Sequence, residues 1–156
     1  MATNSAGVLL YRGDVEVLLG HMGGPFWARK DEGAWSIFKG EHEADEAPQA
    51  VAAREFQEET GAALPPGELL ELGIVSYGRK RLVAFALRAD FDAEHIVSNT
   101  FEVEWPPRSG RRQSFPEMDR AAWFDVDDAR RKLVKGQVPL LDRLVERVGR
   151  NRDANG

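Results

Sequence analysis

Short apolar blocks separated by turn-forming residues fill the first half of the chain. Residues 5–11 (SAGVLLY) and 15–19 (VEVLL) are rich in β-formers and flank Arg12-Gly13-Asp14, which predicts a β-hairpin. Residues 21–33 mix glycine, proline and charge and predict a loop, followed by a short strand over 34–38. A second hairpin is expected from 69–77 and 81–88, turning at Gly78-Arg79-Lys80. Further on, Phe101, Val103 and Trp105 alternate with Glu102 and Glu104, the pattern of a half-exposed strand. An arginine-bearing loop over 106–116 leads from there to another strand over 120–124.

The period changes to that of a helix over 48–60, with Pro48 tolerated in the first turn and Ala50, Ala53 and Phe56 forming an apolar stripe. Two more helices close the chain. Asp125 or Asp127 caps the first and Gly136 ends it. The second carries Val138, Leu141, Leu144, Val145 and Val148 on one face and stops at Gly149, which leaves 151–156 as a flexible tail. Strands with helices before and after them predict an α/β (α+β) domain over 1–150, with helices on both sides of a mixed sheet.

A chain of 156 residues is large enough for one core and needs no staple. It has no cysteine, which excludes a disulfide framework and thiolate-held zinc or iron–sulfur sites and agrees with a reducing compartment. The N-terminus lacks a basic segment before its apolar stretch, and the polar Arg12-Gly13-Asp14 turn interrupts that stretch too early for a signal peptide or a membrane span. A cytoplasmic protein with no membrane contact is expected. The net charge of −5 argues against a stable nucleic-acid partner held by electrostatics.

Chemistry concentrates in residues 40–62, GEHEADEAPQAVAAREFQEETGA, where Gly40, Glu46, Arg54, Glu55, Glu58, Glu59 and Gly61 stand at fixed intervals. On a helix, Glu55 lies one turn from both Glu58 and Glu59, so three carboxylates crowd one face and repel. A cation relieves that repulsion, and hard oxygen ligands suit Mg²⁺ or Mn²⁺. Arg54 lies beside the cluster with a planar fork able to orient a glutamate. A glutamate-rich solvated helix is the plain alternative, but it has no need of Glu46 in the loop before the helix or of Gly61 at its end.

This segment resembles the Nudix box, the signature of hydrolases acting on nucleoside diphosphates linked to another group. The resemblance is tight over the box and loose over most of the rest. It implies an α-β-α sandwich with a mixed sheet, and divalent metal held by Glu55, Glu58 and Glu59 with a backbone carbonyl from Lys39 or Gly40. Where members often have Pro-Lys-Gly, this chain has Phe38-Lys39-Gly40. Catalysis would proceed by attack of an activated water on phosphorus, with Glu55, Glu58 or Glu117 as general base. Glu117 has a second reading, as a loop carboxylate paired with Arg111, Arg112 or Arg120.

Candidate substrate contacts are more scattered. Trp27 and Arg29 lie in a loop of glycines, aromatics and cations ahead of the box, and Lys39 and Lys80 are positioned for phosphate. Tyr77 stands sixteen residues beyond Gly61, an offset that in Nudix relatives accompanies dinucleoside polyphosphates. The prolines that mark relatives acting on ADP-ribose and NADH are absent. The resemblance therefore implies a small nucleotide substrate such as diadenosine tetraphosphate. Hydrolysis of an oxidised nucleoside triphosphate such as 8-oxo-dGTP, as in MutT, and a non-catalytic nucleotide-sensing module are the alternatives. Oligomeric state is not legible.

Overall fold

The computed structural model describes residues 3–155, with side chains through residue 150. Strand β1 (Thr3–Arg12) turns into β2 (Glu16–Met22), but the two pair only at the turn, Tyr11 with Val17 and Arg12 with Glu16. Beyond it they splay, and the incoming chain fills the gap. The short β3 (Trp35–Ser36) pairs with β2, and β4 (Phe38–Glu41) pairs with β1, setting Lys39 opposite Gly7 and Gly40 opposite Ala6. On its other side β1 runs parallel to β6 (Lys80–Arg88), which pairs antiparallel with β5 (Leu70–Tyr77). Strand β9 (Met118–Asp125) lines the outer side of β2 and completes a seven-stranded mixed sheet.

Both faces of this sheet are covered, so its strands read as apolar runs. Ala6, Val8, Leu10, Leu18, Phe85 and Leu87 point to helix α1 (Pro48–Thr60), which inserts Val51, Ala52 and Phe56. Leu9, Tyr11, Val17, Leu19, Leu82 and Ala84 point the other way, to α2 (Val126–Lys132) and α3 (Pro139–Asn155). This is the expected α-β-α sandwich. Among the described residues no helix is long and apolar enough to cross a membrane.

The sequence reading needs correction in several places. His21 and Met22 belong to β2 rather than to the loop, and His21 is fully buried, its ring nitrogens bonded to Asp119 Oδ1 (2.9 Å) and the Lys30 carbonyl (2.7 Å). The expected 106–116 loop contains strand β8 (Arg112–Pro116), which pairs with β7 (Thr100–Glu104) in a separate two-stranded sheet. The buried face of α1 is rotated from the predicted stripe: Ala50 is exposed, while Val51, Ala52 and Glu59 turn inward.

The C-terminal helices differ too. Asp125 does cap α2, accepting from the Asp128 amide at 2.7 Å. The helix ends at Lys132, however, and Gly136 lies in the following 3₁₀ turn, where a Cβ would come within 2.1 Å of Tyr77 Cγ. Leu140 rather than the half-exposed Val145 joins Leu141, Leu144 and Val148 in the core. Helix α3 runs through Gly149 to Asn155, so the backbone of 151–155 is helical where a tail was expected. The side chains of those residues, and all of Gly156, lie outside the described residues. Arg143 of α3 reaches over edge strand β5 and donates to the carbonyls of Leu72 (3.1 Å) and Ile74 (2.8 Å).

Candidate active site

The end of β4 and the last turns of α1 form one bank of a groove of about 270 Å³. Two close contacts fix their relation. The Lys39 amide donates to Glu59 Oε1 at 2.8 Å, which draws that carboxylate under the strand. Gly40 lies against Glu55 so closely that a Cβ would stand 2.0 Å from the Glu55 carboxyl carbon, so a larger residue there would push the Glu55 carboxylate out of its place. Before the helix, Glu46 accepts from the Glu43 amide (3.0 Å) and from Arg54 (2.7 Å), and Arg54 also comes within 3.7 Å of Glu55. Arg54 thus ties the loop to the helix and flanks the cluster. Gly61 ends α1 at φ 81°, a left-handed conformation that glycine adopts without the Cβ penalty.

Distant parts of the chain form the rest of the groove. The carbonyls of Glu58 and Thr60, left open at the end of α1, accept from the amides of Asn99 (2.7 Å) and Val97 (2.8 Å). Glu117 hangs on this segment through its amide, which donates to the Asn99 carbonyl at 2.8 Å. Asn99 and Glu117 therefore enter the groove together, side by side at the open end of the β7–β8 hairpin, and Lys80 at the start of β6 enters beside them. The groove is lined by the acidic residues Glu41, Glu55, Glu59 and Glu117 and by the basic residues Lys39 and Lys80.

Burial sets the electrostatics. The Glu59 carboxyl is pushed up to about 8, chiefly by desolvation and further by Glu55 and Glu117, against the pull of the Lys39 amide. Glu55 is raised first by burial and then by the charge of Glu58, with Arg54 opposing. Arg54 holds Glu46 below the ordinary carboxylate range. The groove thus carries more negative charge than its own cations relieve.

A family model described as NUDIX domain matches residues 1–144. The chain belongs to the NUDIX family. Solved NUDIX relatives share its fold at low identity. One is the NUDIX domain of Shewanella oneidensis NrtR, crystallised with ADP ribose: TM-score 0.64, 16% identity, 95% of this chain and 89% of that one covered. A Caenorhabditis elegans Ap4A hydrolase in a binary complex has TM-score 0.61 and 18% identity over 93% and 98% of the two chains. A MutT protein from Methanosarcina mazei has 0.59 and 17%, over 95% of each. In sequence, the chain is 36% identical over 101 residues to an octanoyltransferase of Myxococcus xanthus, which is 65% of this chain and 25% of that protein.

The NUDIX fold brings together Glu55, Glu59, Glu117, Lys39, Gly40 and Lys80, with Arg54 and the exposed Glu58 immediately beside them. Three predicted substrate residues stand elsewhere. Tyr77 packs on the α2/α3 side of the sheet, its hydroxyl accepting from Gln137 at 3.0 Å, and its ring approaches the groove only through Lys80, 5.9 Å away. Trp27 packs half-buried against the same core, and Arg29 is exposed in the loop after β2. Asn99 and Glu41 are groove residues that sequence reasoning missed. Glu41 directly follows Gly40, which was a usable signal. Asn99 had none, because its place depends on the carbonyls at the end of α1.

The donors fit a hard divalent cation. They are all oxygens, and the acidic lining residues Glu41, Glu55, Glu59 and Glu117 outnumber the lysines Lys39 and Lys80. Among the described residues no three acidic or imidazole groups stand close enough to enclose an ion unaided. The fit therefore rests on donor chemistry and charge.

Proposed function

We propose that this NUDIX protein hydrolyses a pyrophosphate linkage in a nucleoside diphosphate joined to another group, in a divalent-metal-dependent reaction in the cytoplasm. The carrying observation is the groove in which Glu55, Glu59 and Glu117 meet Lys39 and Lys80, with Gly40 pressed against Glu55. Glu55, Glu58 and Glu59 with the Gly40 carbonyl would hold Mg²⁺ or Mn²⁺, which supplies charge neutralisation for the phosphates and acidifies water.

The chain's own residues do the rest. Lys39 and Lys80 bind phosphate oxygens and orient the anhydride, since phosphoryl transfer depends mostly on positioning. Glu55 and Glu117 are the proton acceptors for the attacking water. Burial, and then the charge of Glu58, raise Glu55 above the ordinary carboxylate value, which makes it the stronger proton acceptor. Arg54 keeps Glu55 from swinging away. The preferred substrate is a dinucleoside polyphosphate such as diadenosine tetraphosphate, ahead of oxidised nucleoside triphosphates. Tyr77, engaged with Gln137 on the other side of the sheet, lends that preference no support.

The test incubates purified protein with diadenosine tetraphosphate, ADP-ribose, ATP and 8-oxo-dGTP in Mg²⁺ or Mn²⁺, with products resolved in ¹⁸O-water. Turnover should vanish in EDTA and fall at least ~100-fold in Glu58→Gln, an exposed position whose change leaves the core intact. Nucleotide binding without product would overturn the hydrolase reading in favour of a sensing module.

A further inference from the structure

The β7–β8 hairpin stands off the main sheet and starts from the groove, since Asn99 and Glu117 flank its two strands. Its apolar side lies along the loop after β2. The Gly23 amide donates to the Glu117 carbonyl at 2.8 Å, Phe101 occupies the space beside Gly24, and Phe26 meets Trp105 edge to face at 5.5 Å. Hairpin and loop thus form one arm running from the groove to an aromatic pair.

That pair is built rather than incidental. The Trp105 amide donates to the Arg111 carbonyl (2.9 Å), and the Trp105 carbonyl accepts from the Gln113 side chain (2.8 Å), so its backbone is held on both sides. Phe26 nevertheless leaves 59% of its surface in solvent, the most exposed aromatic among the large exposed hydrophobic residues. At about 3.3 Å per residue along β7, Trp105 stands about 20 Å from Asn99. The base of a mononucleotide whose phosphates lie beside Glu55 and Glu59 falls short of it. A second nucleoside carried on further phosphates spans the gap, and the exposed Arg108 and Arg111 at the same end offer cations to that polyphosphate.

We infer that Phe26 and Trp105 form a stacking platform for the distal nucleoside of a dinucleoside polyphosphate whose anhydride is cleaved in the carboxylate groove. The inference rests on the hydrolase reading for its substrate and deepens it. It makes Phe26 and Trp105 specificity-determining residues, because an aromatic face stacks any base and rewards only a ligand long enough to reach it.

The experiment measures kcat/KM for diadenosine tetraphosphate and for ATP in Mg²⁺, in wild type, Phe26→Ser and Phe26→Tyr. The preference for diadenosine tetraphosphate, as the ratio of the two values, should fall about tenfold in Phe26→Ser through KM, and return in Phe26→Tyr. Tryptophan fluorescence is followed in parallel. Diadenosine tetraphosphate should quench it more than ATP does, and Trp105→Phe should abolish the difference. Quenching without hydrolysis would sink the hydrolase reading and leave the platform standing. Hydrolysis with an unchanged ratio would sink the platform alone, as would sedimentation showing that Phe26→Ser separates a dimer, for the pair would then be a subunit contact.

Discussion

Glu59 is the residue where folding and chemistry conflict. Its carboxyl sits 5% exposed beneath β4 and is pushed from 4.5 to about 8, mainly by burial. Below about pH 4.5 it is neutral in both folded and unfolded chains and has no effect on stability. As pH rises from there to about 8, the unfolded chain releases the proton and the folded one keeps it, so the metal-free protein loses stability throughout that window. The loss should amount to about 2 kcal/mol or more by pH ~9. Urea melts in EDTA at about pH 5 and about pH 9 should show it, with Glu59→Gln flattening the difference and Mg²⁺ restoring wild type at the higher pH. A wild-type stability independent of pH would contradict the burial of this charge. Gln at this position still accepts from the Lys39 amide, so the variant isolates charge from hydrogen bonding.

Helix α1 organises the site as an element, and its termination matters as much as its carboxylates. At Gly61 an alanine would meet both a left-handed φ and the Val97 carbonyl 2.8 Å from its Cβ. Gly61→Ala should therefore lower stability by about 1–2 kcal/mol, read as a fall in Tm, and lower kcat as well, because Asn99 and Glu117 hang from the carbonyls of this last turn. The bounds of α1 were legible because proline and glycine punctuate them, and the β5–β6 hairpin because its turn and β-formers agree. Strand β8 was not. Residues RQSFP are exposed over their first three positions, so no alternation of apolar and polar residues records their pairing with β7. The inward turn of Glu59 was hidden for a related reason: its partner is a backbone amide of β4, to which no side-chain pattern points.

The molecule as a whole is closed by contacts between remote segments. Buried Gln137 donates to Ser36 Oγ (2.9 Å) and the Tyr77 hydroxyl (3.0 Å) and accepts from the Ile37 amide (3.0 Å), joining the first, middle and last thirds of the chain just ahead of Lys39. Gln137→Leu should cost about 2–3 kcal/mol, because it leaves the buried Ile37 amide without its acceptor, while Tyr77→Phe should cost about 1 kcal/mol and combine with it less than additively. Denaturant titration of the two single variants and the double variant measures all three. At this scale the site was half legible. Glu41, Glu55, Glu58 and Glu59 share one stretch of sequence, whereas Lys80, Asn99 and Glu117 meet them only because β6 lies parallel to β1 and the 97–99 segment seals the end of α1. Arg143 acts on the same scale. With its guanidinium already bonded to two carbonyls on the rim of the sheet, a foreign strand drifting alongside β5 finds those acceptors taken, and the open side of the sandwich is guarded against cross-molecular stacking into fibres.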